Sequence, residues 1–154
     1  MPTAFRDFAA LDHATTEGVD YRRELRRTGA GVAHIAVHGG GIEAGTAEAA
    51  DAVARLNGQD YYAFVGLRDS GNGAPHITSI HFDEPQCVAL QRSARATVSY
   101  HGCAGGRPLV HLGGGDRNLK LSDQPIEPED FSESHAGKEV RGVRKSAEEA
   151  GWSR

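Results

Sequence analysis

The pattern of apolar and polar residues predicts five strands. Apolar residues alternate with polar or small ones in residues 33–38, 76–82 and 96–101, which is the period of a β-strand. Residues 61–67 are almost continuously apolar and aromatic, which is typical of a central strand covered on both faces. The apolar run 109–112, which precedes three glycines, predicts a further short strand.

Apolar residues at helical spacing predict two helices between these strands. Thr46 can cap the first helix, and Asn57 and Gly58 supply its stop. Asp83 can cap the second helix, which has Pro85 in its first turn. Strands that alternate with helices through short loops predict an α/β fold, with one domain whose open, mixed and mostly parallel sheet is flanked by helices.

The two ends of the chain are less regular. Residues 1–20 mix polar and apolar residues without a sustained period, and the basic cluster at residues 22–27 is interpreted as a solvated surface. The apolar pattern fades after residue 121. We therefore predict an α/β domain over residues 1–121. Residues 122–154 are predicted to be a weakly structured linker and charged tail, or a truncated or divergent end of the domain.

Composition and charge narrow the classes of partner. The 154 residues include 17 basic and 21 acidic side chains, a net charge of −4, without a basic stripe, which argues against nucleic acid as the main partner. No run of about 18 consecutive residues is apolar, and the N-terminus lacks the apolar run of a signal peptide. We therefore expect a cytoplasmic protein without a membrane partner. The spacing of Cys87 and Cys103 favours two small core residues over a zinc finger or a redox pair.

Candidate chemistry begins at His38, which the first predicted strand places at its end. The three glycines that follow can turn the backbone so that Glu43 returns beside His38. His101 ends another predicted strand, and the carboxyl ends of neighbouring strands meet at one edge of an α/β sheet. Two histidines and a carboxylate form a His₂Glu zinc site, whose fourth position is left for water. The alternative is a glycine-rich turn, either purely structural or cradling a phosphate at a helix N-terminus.

Four motifs follow one another along the chain. They are His38-Gly-Gly-Gly-Ile-Glu43-Ala-Gly-Thr, His76-Ile-Thr-Ser-Ile-His81-Phe-Asp-Glu-Pro85, Val98-Ser-Tyr-His101-Gly-Cys and Val110-His-Leu-Gly-Gly-Gly-Asp116. Over roughly residues 15–121, the motifs and their order resemble the poly-γ-glutamate hydrolase family of bacteria and their phages. The resemblance implies a zinc carboxypeptidase-like fold and a zinc-dependent hydrolase of γ-glutamyl amide bonds, with a metal-bound water as nucleophile. The partner would be an anionic γ-glutamyl polymer or peptide, and a phage-encoded enzyme would be released by host lysis.

The resemblance also implies roles for individual residues. The zinc ligands would be His38, Glu43 and His101, the same three residues that the spacing indicates. His76 and His81 match a family motif and are expected to contact the substrate or to lie just behind the ligands. Carboxylates of the polymer would be held by basic residues near predicted strand ends. Those residues are Arg68 and Arg117, with Arg107 and Lys120 as further candidates, and His34 is expected on the same strand face as His38.

The general base of the reaction is not matched. The family carries a glutamate in a C-terminal strand of the form Gly-Val-Gln-Leu-Glu, whereas residues 140–146 read Val-Arg-Gly-Val-Arg-Lys-Ser. The glutamates in the segment that could substitute are Glu127, Glu129, Glu133 and Glu139. Two hypotheses stay open: an active zinc hydrolase, and a catalytically impaired or truncated homologue that binds zinc and polymer without efficient cleavage.

Overall fold

The computed structural model of the chain describes residues 5–68 and 76–103. They form three helices, α1 (Phe8–Ala14), α2 (Thr46–Leu56) and α3 (Pro85–Ser93), and four strands, β1 (Tyr21–Arg26), β2 (Val32–Gly40), β3 (Asp60–Gly66) and β4 (Ala96–Ser99). A short 3₁₀ helix, Ser79–His81, precedes α3. The predicted strand at 109–112 and the predicted domain boundary at residue 121 lie outside the described residues and stay predictions.

The four strands form one open sheet in the order β1-β3-β2-β4. β2 runs parallel to its neighbours β3 and β4, whereas β1 is antiparallel to β3. The prediction of an α/β fold with an open, mixed and mostly parallel sheet is therefore confirmed. Because β2, β3 and β4 run in the same direction, their carboxyl ends meet at one edge of the sheet, which is where α/β proteins form their sites.

Each face of the sheet packs against its own helices. α1 and α3 cover the face that carries Ile35 and Val37, and α2 covers the face that carries Ala36, so β2 alternates as its sequence predicts. β3 is buried along its whole length, which confirms the predicted central strand. Cys87 lies in the first cluster, and burial raises the pKa of its thiol to about 12. Cys103 is exposed, so its prediction as a core residue is wrong.

The N-terminal residues form two elements that the apolar pattern does not indicate. α1 begins after Asp7, whose side chain accepts a hydrogen bond from the Ala10 N–H and so caps the helix. β1 contains most of the basic cluster at residues 22–27. The interpretation of that cluster as a solvated surface is wrong for Arg23, whose guanidinium pairs with the fully buried carboxylate of Glu84.

Residues 76–82 do not form the predicted strand. A strand would put Ile80 and Phe82 on the same face, but Ile80 is 84% exposed whereas Phe82 packs against the core. The segment instead contains the 3₁₀ helix, and the Ile77 carbonyl accepts a hydrogen bond from the imidazole of His38. The alternation of apolar and polar residues therefore occurs here in a connecting segment that is not a strand.

Three elements begin or end one or two residues away from the predicted position. Gly45 is the N-cap of α2 in place of Thr46, and Glu84 is the N-cap of α3 in place of Asp83. β4 ends at Ser99, so His101 follows the strand and does not belong to it. None of the helices within residues 5–68 and 76–103 is long and apolar enough to cross a membrane.

Candidate metal centre

His38 and Glu43 meet in the loop between β2 and α2. The Glu43 N–H donates to the His38 carbonyl over 2.8 Å, and the Thr46 hydroxyl donates to the Glu43 carbonyl over 2.8 Å. This tight turn places Glu43 Oε1 3.1 Å from His38 Nδ1. The structure thus brings together the histidine and the carboxylate that the glycine spacing indicates.

Two glycines at the end of β2 allow this turn. A Cβ on Gly39 would lie 2.7 Å from the Cβ of Ala47, and a Cβ on Gly40 would lie 2.5 Å from the carbonyl oxygen of Gly66. Gly40 also has a φ of +63°, which favours glycine. The pairing of β2 with β3 shifts register between Ala36 and Gly39, the stretch that contains His38, and such irregularities re-aim side chains next to sites.

The hydrogen bonds of His38 fix which of its nitrogens is available. Nε2 lies 2.7 Å from the carbonyl oxygen of Ile77, which can only accept, so Nε2 carries the hydrogen and donates. In the neutral ring, Nδ1 then presents a lone pair to Glu43 Oε1. Two acceptors 3.1 Å apart require a cation between them, either a proton or a metal ion. His38 and Glu43 therefore fit a metal ion, with a backbone carbonyl orienting the histidine as in many metal sites.

His76 adds a third potential ligand. Its ring lies against that of His38 with centroids 4.4 Å apart, and one ligand atom each from His38, Glu43 and His76 lie within 4.8 Å of one another. Nδ1 of His76 is buried and has no hydrogen-bond partner among the described residues. Burial lowers the pKa of His76, and the neighbouring His38 lowers it further, which favours the neutral ring that can bind a metal.

His101 approaches the same carboxylate from β4. Its Nδ1 lies 3.6 Å from Glu43 Oε2, and its ring centroid is 5.4 Å from that of His38. Nε2 lies 2.9 Å from the Ser99 hydroxyl, and the Gly102 N–H donates to Glu43 Oε2 over 2.8 Å. His101 is therefore adjacent to His38 and Glu43, on the more exposed side of the centre, where 37% of its side chain is accessible.

The other residues singled out in the sequence lie further from this centre or outside the described residues. Arg68 pairs with Asp20 over 2.8 Å, and His81 is exposed in the 3₁₀ helix. Both ring nitrogens of His34 are hydrogen-bonded, to the Tyr100 hydroxyl and the Gln59 side chain, so His34 braces β2 and does not face Glu43. The residues outside the described ranges are Arg107, Arg117, Lys120, Glu127, Glu129, Glu133 and Glu139.

The sequence did not indicate that His76 lies among the potential metal ligands. Its motif assigned it to the substrate or to the surroundings of the ligands, whereas the structure puts a ring nitrogen in the same group of potential ligand atoms as His38 and Glu43. The available signal was weak. It consisted of a histidine directly before an apolar residue that becomes buried, in a segment that the alternation assigned to a strand.

Three proteins of Bacillus subtilis strain 168 are similar to this chain in sequence. The chain is 42% identical over 100 residues to the UPF0714 protein YndL, covering 64% of this chain and 38% of that protein. It is 45% identical over 85 residues to the SPβ prophage-derived UPF0714 protein YoqZ, covering 54% and 30%. It is 32% identical over 136 residues to the UPF0714 protein YmaC, covering 86% and 56%.

Two solved structures are similar in fold and sequence. A bacteriophage poly-γ-glutamate hydrolase superposes with a TM-score of 0.67 at 37% identity, over 70% of this chain and 52% of the hydrolase. The zinc-free apo form of YndL superposes with a TM-score of 0.55 at 34% identity, over 63% of this chain and 46% of YndL.

The chain is shorter than the proteins it resembles. It spans 30% to 56% of the length of the three Bacillus relatives and about half of each similar structure. The poly-γ-glutamate hydrolase family model nevertheless matches residues 5–147, which is nearly the whole chain. On this evidence, the chain belongs to the poly-γ-glutamate hydrolase family.

Proposed function

We propose that the chain binds Zn²⁺ through His38, Glu43 and His101 and hydrolyses γ-glutamyl amide bonds of poly-γ-glutamate. The observation that carries the proposal is the approach of His38 Nδ1 to within 3.1 Å of Glu43 Oε1, while His38 Nε2 lies 2.7 Å from the Ile77 carbonyl oxygen. Two nitrogens and a carboxylate are a donor set that zinc accepts. The similar bacteriophage structure is a poly-γ-glutamate hydrolase, and the similar YndL structure is described as zinc-free, both of which support this choice of substrate and metal.

The chain's own residues orient the three ligands. The Ile77 carbonyl holds His38 in one tautomer, and the Gly102 N–H holds Glu43 Oε2 by a charge-assisted bond. The Ser99 hydroxyl can accept from His101 Nε2, which leaves Nδ1 directed at Glu43. Zinc bound in such a site polarises an amide carbonyl and lowers the pKa of a bound water to about 7.

The substrate would approach the carboxyl edge of the sheet. Arg68 follows the end of β3 at this edge, and it stays our proposed partner for the polymer's carboxylates together with Arg117. In the structure, Arg68 pairs with Asp20, an ion pair whose arginine side chain is 36% exposed. We propose that a polymer carboxylate replaces Asp20 there, because solvent screens an ion pair at the surface and makes it weak.

A second function is binding of zinc and polymer without efficient cleavage. Within the described residues, the group of potential ligand atoms contains one carboxylate, Glu43, and its two oxygens already face His38, His101 and the Gly102 N–H. A general base would therefore have to be a further residue. General acid–base assistance is worth about 10²–10⁴-fold in rate, so slow turnover is expected unless another carboxylate reaches the site.

The experiment measures zinc content and polymer length on one purified sample. We expect stoichiometric zinc in the wild-type chain and loss of zinc in His38→Ala and Glu43→Gln, with His13→Ala as an exposed-histidine control. Shortening of poly-γ-glutamate that a chelator and His38→Ala both abolish would identify a hydrolase. Zinc binding without shortening would favour the second function, and full zinc occupancy in His38→Ala would contradict the proposed site.

A further inference from the structure

We infer that His76 is a direct donor to the metal ion beside His38 and Glu43. This inference rests on the proposed zinc site and adds a ligand to it. It differs from the role that the sequence motif implies, which is a contact with the substrate or a position behind the ligands.

The first reason is position. The ligand atoms of His76, His38 and Glu43 lie within 4.8 Å of one another. Donors at about 2.0–2.2 Å from one zinc ion are about 3.4 Å apart in a tetrahedral site. The ligand atoms would therefore have to approach one another by roughly 1.4 Å at most to share an ion. His101 also neighbours Glu43, but it approaches from the exposed side and stands outside that group of atoms.

The second reason is an unsatisfied nitrogen. Nδ1 of His76 is buried and has no hydrogen-bond partner within residues 5–68 and 76–103, which is rare for a buried polar atom. Packing of the ring against His38 does not supply this nitrogen with a partner. Bonding to a metal ion would satisfy it.

The third reason is that His38 and His76 are positioned by the same short segment. The carbonyl of Ile77 orients His38, and the residue before it is His76. The His76 carbonyl in turn accepts from the Phe5 N–H over 3.3 Å, which ties this segment to the N-terminal residues. The segment therefore both fixes the tautomer of one ligand and supplies another.

A fourth protein donor has a consequence for the coordination of zinc. Catalytic zinc sites keep one position open, and zinc can expand to five ligands. With His38, Glu43, His76 and His101 as donors, zinc would have to take a fifth ligand for a water to bind. The metal is then held more tightly than three ligands would hold it.

The test measures the metal and needs no turnover. Zinc affinity is determined by competition with a chromophoric chelator for the wild-type chain, His76→Ala, His38→Ala and His13→Ala. Loss of a residue that only hydrogen-bonds to a ligand weakens metal binding by about 10–100-fold, so removal of a direct donor should exceed about 100-fold. His13→Ala, in an exposed position on α1, should bind zinc like the wild type.

A second readout counts the histidines on the metal. Each histidine bound to Co²⁺ contributes one exchangeable, paramagnetically shifted N–H resonance in proton NMR. We expect three such resonances in the Co²⁺-loaded wild type, from His38, His76 and His101, and two in His76→Ala. A count of three in the wild type identifies His76 as a donor even if His76→Ala does not fold, because His38 and His101 account for only two of the resonances.

The two proposals fail in different ways. If His38→Ala loses zinc while His76→Ala retains wild-type affinity, and the wild type shows only two resonances, the zinc site stands and the role of His76 is overturned. If the wild-type chain binds neither Zn²⁺ nor Co²⁺, both proposals are overturned.

Discussion

Replacing Arg23 with alanine should destabilise the chain by about 3–5 kcal/mol, the usual cost of removing one partner from a buried ion pair. The Glu84 side chain has no solvent exposure, and its Oε1 accepts from Arg23 Nη1 over 3.0 Å. Its Oε2 accepts from the Cys87 N–H and caps α3. Without Arg23, the buried carboxylate keeps the Cys87 N–H but has no cationic partner among the described residues.

The neighbouring arginine supplies a matched control. Arg22 lies on the same strand and pairs with Glu24 over 2.7 Å, but 51% of its side chain is exposed. An exposed pair is worth about 0–1 kcal/mol, so Arg22→Ala should change stability by no more than that. Arg23 also pairs with the partly exposed Glu17. That second pair adds only a similarly small amount to the difference between the two variants.

Urea unfolding in the presence of a chelator measures these free energies without a contribution from bound metal. Arg23→Ala should lower the midpoint without changing the slope. The double variant Arg23→Ala/Glu84→Gln should recover part of the loss, because a neutral amide costs less to bury than an unpaired carboxylate and can still accept from the Cys87 N–H. Equal stabilities of Arg23→Ala and Arg22→Ala would refute the reasoning.

Two further changes test the loop and the β1–β2 connection. Gly40→Ala should destabilise the chain more than Gly18→Ala, as measured by thermal unfolding. Both glycines have a positive φ, which costs a residue with a side chain about 1–2 kcal/mol. Only Gly40→Ala also puts a Cβ 2.5 Å from the Gly66 carbonyl oxygen. Equal losses would show that the contact relaxes freely. Burial alone would raise the pKa of the Asp60 carboxyl, but hydrogen bonds from residues 28–29 lower it, and the pKa lies below its ordinary value. That stabilisation is present above the unfolded-state pKa of about 3.9 and is lost as pH falls through the folded pKa. The stability difference between wild type and Asp60→Asn should therefore narrow only in acid, and a constant difference down to pH 2 would contradict this.

The elements that could be predicted are those whose local pattern is strong. Five elements that carry an alternating, a continuous or a helical set of apolar residues are present in the structure. They are β2, α2, β3, α3 and β4. The turn from His38 to Glu43 was also predictable, because three consecutive glycines permit the backbone conformations that a tight turn needs and other residues rarely adopt.

The elements that were missed depend on distant partners. α1 has seven residues and buries only Phe8 and Leu11, which is too little to give a clear period. β1 alternates poorly because Arg23, a charged residue, points to the buried Glu84 that lies 61 residues later. No local rule indicates that an arginine in a basic cluster faces the interior of the fold.

The missed elements are also the ones that hold the segment from residue 76 to residue 84, whose structure the alternation predicted wrongly. Phe5 N–H donates to the His76 carbonyl at one end, and Phe8 N–H donates to Asp83 Oδ1 over 2.6 Å at the other. Arg23 of β1 fixes Glu84 directly after it. The half of the candidate site formed by His38 and Glu43 thus follows from local sequence, whereas the half that includes His76 depends on contacts with α1 and β1. A motif therefore identified His76 as a residue of interest, but only the tertiary fold gives it a position from which it can reach a metal ion.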